Sequence, residues 1–171
     1  CNTELMQIRL ATKDDYSDIF QLFQDCAKAM ITEGIHQWDE HYPRSEDLNR
    51  NINKEEVWVY LTNQVIAGTI TLNLEESPAY KTINWSKSTF RVVHRLAVHP
   101  KFQRMGIAKN LMNFVEEHCL NIGIDAIRLD TYTKNNGNMR FYKNLNYKKI
   151  GFVYFRSIEA PFACFEKLLN Q

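Results

Sequence analysis

Three groups of residues in this chain have the types and spacing to do chemistry. The first is Gln103-Arg104-Met105-Gly106-Ile107-Ala108-Lys109, which follows a near-continuous apolar run from Val92 to Val98 and a corner at His99-Pro100. Strand, turn and helix in that order, with glycine where the helix opens, leave the first-turn amides without partners inside the helix. Backed by the helix dipole, such amides form a site for an anion, most often a phosphate. The second group is Trp38-Asp39-Glu40-His41-Tyr42, with Glu33 shortly before it. Aromatic faces beside carboxylates suit a cation such as a protonated amine. The third is His94, inside the apolar run, whose imidazole has the intrinsic pKa to accept a proton near neutrality.

Each group also has a plainer reading. Gly106 suits close packing of a helix on a strand as well as it suits an anion. The aromatic loop also reads as a hydrophobic anchor with solvated acids, and His94 as an ordinary strand histidine. The residues alone leave these pairs open. His36 and His41 lie near acids, but their spacing fits no usual zinc site. The Gly106 segment lacks G-x-x-x-x-G-K-[ST] and G-x-G-x-x-G, which argues against a nucleoside-triphosphate loop and a dinucleotide fold.

Charge supports an anion at the first group. From Ser86 to Val115 there are six cations (Lys87, Arg91, Arg95, Lys101, Arg104, Lys109) and no Asp or Glu. From Lys13 to Glu56 there are eleven acids against five Lys or Arg, so this stretch favours a cation. The net charge of +1 gives no global case for nucleic acid. No apolar run is long enough to span a bilayer. Nor does a charged start followed by an apolar stretch suggest a secretory signal. The four cysteines, Cys1, Cys26, Cys119 and Cys164, form no C-x-x-C pair and fit reduced thiols in a cytoplasmic protein. Opening on Cys1 rather than methionine reads as a trimmed or tagged N-terminus.

The elements that must position these groups follow from periodicity. Met6 to Leu10 alternates as a short strand. Thr12 with Asp14 and Asp15 opens a helix that carries Ile19, Leu22, Phe23, Cys26, Ala27 and Met30 at helical spacing and ends near Glu33-Gly34. Ser45 begins a second helix running to about Asn53. Val57 to Leu61 and Val65 to Leu74 form a hairpin, with Gly68 as a bulge or close-approach point. Glu75 to Ser88 reads as a connecting loop. Phe90 to His99 is a strand, and Gly106 to Ile122 a helix with Ile107, Leu111, Phe114, Val115 and His118 on one stripe. Ala126 to Thr133 is a strand, Asn135 to Leu145 a helix burying Met139, Phe141 and Leu145, and two strands, Ile150 to Phe155 and Phe162 to Leu168, finish the chain. At 171 residues the order β-α-α-β-β-β-α-β-α-β-β predicts one mixed α/β domain with a parallel pair at its centre.

These motifs carry a resemblance. Gln103 to Ala108 fits the Q/R-x-x-G-x-G/A signature of the GNAT acyltransferase superfamily, and Arg95-Leu96-Ala97-Val98-His99-Pro100 resembles that family's fourth strand. Asn135 and Phe141-Tyr142 are similar to its N-x-x-A-x-x-F-Y-x-x-x-G-F segment, with Asn138 where Ala is usual and Asn146-Tyr147 where Gly-Phe is usual. The element order matches the family across nearly the whole chain. The resemblance implies a mixed, mostly antiparallel sheet flanked by helices, with the parallel fourth and fifth strands splayed apart. It also implies an N-acetyltransferase using acetyl-CoA as co-substrate.

In that fold the pantetheine arm would pair with backbone groups of Leu96, Ala97 and Val98, as an added strand does. Amides of the Gln103 to Lys109 segment would hold the pyrophosphate, and Asn135 would lie on the coenzyme side. Tyr142, which in isolation reads as a core aromatic, would stand near the thioester sulfur as general acid. Phenol and thiol reference values of about 10 and 8.5 make full proton transfer uphill by roughly 2 kcal/mol, so a hydrogen bond to the leaving thiolate suffices. Freeing an alkyl amine of its proton at pH 7 costs about 4 to 5 kcal/mol. His94 is the candidate base, with Glu33, Trp38, Asp39 and Glu40 candidates for the acceptor side. Cys119, inside a helix, is a poor nucleophile. The acceptor, a small molecule or a protein amine, stays open, since its specificity lives in variable loops. A monomer or homodimer is expected. The rival readings are a sensor that binds acyl-CoA without turnover, and an enzyme for another acyl donor or a hydroxyl acceptor.

Overall fold

Thr12-x-x-Asp15 folds as a reciprocal cap: the Thr12 amide donates to the Asp15 carboxylate at 2.8 Å, which also takes Arg9 in two contacts at 2.7 and 3.0 Å. This helix start is seen in a computed structural model that describes residues 6–155 and 158–170; Cys1 lies outside them. The chain divides into two compact units, residues 1–72 with 94–115, and residues 73–93 with 116–171.

The first unit holds strands β1 (Met6–Leu10) and β2 (Val57–Thr62), nearly all of β3 (Val65–Asn73) and the second half of β4 (Phe90–Val98). Its helices are α1 (Tyr16–Thr32), α2 (Ser45–Asn53) and the start of α3 (Ile107–Asn121). β1 pairs antiparallel with β2, and β2 with β3, as the predicted hairpin requires. The core forms where Ile19, Leu22, Phe23 and Cys26 of α1 and Leu48 and Ile52 of α2 meet Val57, Val59 and Leu61 of β2. Each fully buried aliphatic or aromatic side chain here contributes about 1.5–3 kcal/mol.

The second unit holds the first half of β4, the end of α3, β5 (Ala126–Tyr132), α4 (Asn136–Asn144), β6 (Lys148–Val153) and β7 (Phe162–Leu168). β4 and β5 run parallel, paired from Phe90↔Ala126 to Val92↔Arg128. β5 and β6 each pair antiparallel with β7. Among the described residues the strand order β1-β2-β3-β4-β5-β7-β6 makes one mixed sheet of seven strands, accompanied by four α-helices, as expected. No helix among the described residues is long and apolar enough to cross a membrane.

Three local expectations need correction. The connection after β3 contains a 3-10 turn, Pro78–Thr82, capped by Ser77 and burying Tyr80. A single turn is too short to show a period. On α3 the fully buried stripe is Ile107, Leu111, Met112, Val115 and Cys119, while Phe114 and His118 lie at its margin. On α4 the buried residue is Tyr142; Met139, Phe141 and Leu145 are half-buried. The cap at Asn135 fixes where this short helix begins, and so which face it turns inward.

Candidate functional site

In the first unit, Gly106 is the residue from which α3 starts. Its φ is +81°, and its carbonyl takes the first helical bond, from the Asn110 amide at 3.0 Å. The amides of Ile107, Ala108 and Lys109 therefore have no acceptor within the helix. Arg104 is also left-handed, at φ +66°. Met105 is 52% exposed, while Ile107 points into the core. The result is an exposed backbone concavity at a helix N-terminus, flanked by the cations Arg104 and Lys109. This geometry suits an anion.

The two readings of Gly106 are separated by space. A methyl group added there would meet nothing within 4 Å, so close packing is not its role. The residue that lets helix and strand approach is Gly68 on β3. A methyl group there would lie 3.0 Å from Ile107 Cγ2, 3.2 Å from Leu111 Cδ1 and 3.2 Å from the Ala97 carbonyl.

β4 enters the loop through a bend. Arg95 has a φ of +48° inside the strand, and its Nη2 donates to the fully buried Asn51 side chain at 2.6 Å. His94, half-buried, is the residue just before the bend. Beyond it the Ala97 carbonyl and the His99 amide face β3, the latter donating to Ala67 at 2.8 Å. Strand alternation then turns the backbone groups of Leu96 and Val98 away from β3. The Val98 carbonyl accepts from Cys26 Sγ at 3.3 Å and Gln103 Nε2 at 3.4 Å.

The corner after β4 is fixed by a pair that sequence reasoning missed. His99 Nε2 lies 3.0 Å from Asp25 Oδ2 on α1, and its Nδ1 accepts from the Lys101 amide at 3.1 Å. The second contact leaves the proton on Nε2, aimed at the carboxylate. A hydrogen bond from Gln21, reinforced by His99, holds the Asp25 carboxyl below its ordinary range. Asp25 and His99 are 74 residues apart, and nothing local links them.

The aromatic loop is built from the inside. Trp38 is only 8% exposed and meets Phe23 edge to face, with ring centroids 5.5 Å apart. Its indole anchors the loop rather than presenting an open face. The Asp39 carboxylate accepts from the amides of His41 and Tyr42 at 2.7 and 2.9 Å. Glu33 and Glu40 are exposed.

In the second unit, Asn135 is buried and caps α4, accepting from the Asn138 amide at 3.0 Å. Asn138 in turn donates to Thr131 of β5 at 3.3 Å, a tie that alanine would not make. Two turns on, Tyr142 is buried among Phe141, Tyr147 and Phe165, with centroids 5.1, 5.9 and 5.8 Å away. Asn146 ends the helix at φ +69°, a conformation asparagine tolerates, which accounts for its standing in place of glycine. Burial, and secondly the charge of Asp130, lift the Tyr142 phenol well above its ordinary range. Asp130, half-buried on β5, accepts a hydrogen bond from the buried Tyr80 hydroxyl and was not anticipated from sequence. Burial pushes the Cys119 thiol up to about 11 and those of Cys26 and Cys164 up to about 12, which makes each a poor nucleophile.

The model of the acetyltransferase (GNAT) family matches residues 16–147. No curated protein matches the chain significantly. Among solved structures, a GNAT-family acetyltransferase from Streptococcus agalactiae is similar at 23% identity, covering 95% of each chain, with a TM-score of 0.81. One from Listeria monocytogenes is similar at 19% identity, covering 97% of this chain and 99% of that one, with a TM-score of 0.78. The PaiA N-acetyltransferase of Thermoplasma acidophilum, solved in complex with coenzyme A, is similar at 16% identity. It covers 96% of this chain and 99% of that one, with a TM-score of 0.74.

Proposed function

The chain belongs to the acetyltransferase (GNAT) family, and on that footing we propose that it works as one domain that moves an acetyl group from acetyl-CoA to a primary amine. The observation that carries this reading is the start of α3. Gly106 and Arg104 hold the chain in left-handed turns that leave the amides of Ile107, Ala108 and Lys109 without helical partners. Coenzyme A would bind there through its pyrophosphate, with Arg104 and Lys109 adding charge and Gln103 bracing the loop against Val98. Because that recognition is by backbone, the side chains of Met105 and Ile107 matter little to it. Asn135 serves by setting the start of α4, and hence where Tyr142 falls.

The pantetheine arm would pair with the edge of β4 that faces away from β3. Leu96 and Val98 offer their backbone groups on that edge, whereas Ala97 directs its carbonyl to the β3 side. The Val98 carbonyl already accepts two side-chain donors, so its amide and the groups of Leu96 are the ones left to pair.

The amine attacks the thioester carbon directly. As the C–N bond forms, the C–S electron pair passes to sulfur, and the nitrogen proton leaves through His94. Tyr142 serves as a hydrogen-bond donor to the departing thiolate rather than as a full acid. Its raised pKa widens the roughly 2 kcal/mol gap that already opposes complete transfer. The exposed carboxylates of Glu33 and Glu40 draw a cationic acceptor, and Trp38 and Asp39 hold the shape of the loop.

Free thiol released from acetyl-CoA, measured with and without a panel of primary amines, tests the reading. Amine-dependent thiol with a matching acetylated product is expected. Binding without release would mean a sensor, and release only with a longer acyl donor or with alcohols would mean a different transferase.

A further inference from the structure

Arg95 is a half-buried cation that no carboxylate neutralises among the described residues. Its guanidinium has a single partner there, the Asn51 side chain, to which Nη2 donates at 2.6 Å. Its Nε is buried and has no hydrogen-bond partner among the same residues. Arginines with a structural role in this chain look different. Arg9 takes the Asp15 carboxylate in two contacts, at 2.7 and 3.0 Å. In the second unit, Arg128 is held by Glu166 and Glu76, each at 3.2 Å, and by the Ser86 carbonyl at 2.9 Å.

The neutrality of the partner has a consequence for charge. Asn51 lies on α2, is fully buried, and fixes the guanidinium through its oxygen while its amide donates to Glu56 at 3.0 Å. An amide oxygen orients the cation without cancelling its charge, and the acid is bonded to Asn51 rather than to Arg95. A guanidinium is a planar fork of N–H donors matched to a carboxylate taken in two parallel bonds. A buried N–H without an acceptor is costly, and a bound oxyanion removes that cost.

Arg95 also stands where an acceptor must arrive. Its φ of +48° makes the bend in β4. Coenzyme A held at the amides of Ile107, Ala108 and Lys109, with its pantetheine arm along Val98 and then Leu96, brings the thioester to that bend. Asn51, Arg95 and this run of donor-binding backbone all belong to the first unit.

We propose that Arg95, oriented by Asn51, binds a carboxylate of the acceptor, so that the substrate is an amine carrying its own carboxylate, as amino acids do. The inference rests on the acetyl-transfer reading of the same site. The carboxylate enters at the open edge of the half-buried guanidinium and draws Nε into the pair, while the amine nitrogen attacks the thioester. Asn51 is a positioning residue: it touches the guanidinium and not the acceptor.

The test uses the intact protein and ω-amino acids of graded chain length, each beside its carboxamide, which keeps the shape and removes the charge. At the best length the wild type should favour the acid over the carboxamide by about 10- to 100-fold in kcat/KM, the value of a hydrogen bond to a charged group. Arg95→Gln should abolish that preference, and Arg95→Lys, which keeps the charge but loses the fork, should restore part of it. Damage to the bend lowers both acceptors alike, so the ratio separates recognition from structure. No preference in the wild type, or a ratio unchanged in Arg95→Gln, would overturn the role of Arg95 while leaving acetyl transfer standing. Coenzyme A binding without amine-dependent thiol release from any primary amine would overturn both.

Discussion

The Arg95 guanidinium reaches the side chain of Asn51, Nη2 to Oδ1 at 2.6 Å, and thereby joins the bend in β4 to the end of α2. Asn51 is fully buried and passes the contact on through its amide to Glu56 at 3.0 Å. Arg95 occupies a backbone region that costs a non-glycine residue energy, so the bend persists because this side-chain network supports it. Asn51→Ala strands a half-buried charge and should cost about 1.5–3 kcal/mol in urea unfolding. It should also weaken coenzyme A binding, because Leu96 and Val98 lie directly beyond the bend.

Gly68 on β3 and Gly106 at the start of α3 should respond differently to added side chains. Gly68→Ala drives a methyl group against the Ala97 carbonyl, which belongs to the backbone and cannot swing aside, and against Ile107 and Leu111. A loss of about 1–3 kcal/mol is expected. Gly106→Ala meets open space, so only its left-handed conformation is penalised, by about 1–2 kcal/mol. Enlarging further to Leu separates the two on denaturant melts: the loss should grow at position 68 and hold steady at position 106.

Much of this arrangement was legible in the sequence, and what escaped shares one cause. The strand, corner and helix from Phe90 onward, the β2–β3 hairpin and the Thr12 cap are local, and each is written in spacing or turn chemistry. The roles of Gly68 and Gly106 were not separable, because helix-on-strand contact and left-handed backbone both ask for glycine. The pairs Asp25–His99 and Tyr80–Asp130 join segments 50 or more residues apart, and the half-burial of Met139, Phe141 and Leu145 depends on how a short helix is turned. No periodicity records them.

Tyr142→Phe should separate chemistry from binding. The variant keeps the ring that packs on Phe165 and loses only the donor to the thiolate. Turnover should fall by about 10²-fold, in line with removal of one transition-state donor, with the Kd for coenzyme A unchanged. Unaltered turnover would remove Tyr142 from the reaction.

Alkali should unfold the protein through its buried phenols. Tyr80, Tyr142 and Tyr147 all titrate above their ordinary range, chiefly because burial disfavours the phenolate. The unfolded chain releases these protons from about pH 10, whereas the folded chain retains them. Stability from this source is whole below that pH and declines as pH rises beyond it. Urea midpoints between about pH 8 and 11 should show that decline, and Tyr147→Phe should make it shallower.

The donor site is tested most directly by Ala108→Glu, with coenzyme A binding by calorimetry and thermal melting measured on the same sample. Ala108 lies in the first turn of α3, where a carboxylate favours the helix dipole by about 0.3–1 kcal/mol and opposes an anionic ligand. The predicted result is a melting temperature equal to or above that of the wild type, with coenzyme A binding abolished. Binding of coenzyme A at wild-type affinity by the folded variant would contradict the assignment of the α3 N-terminus as the pyrophosphate site.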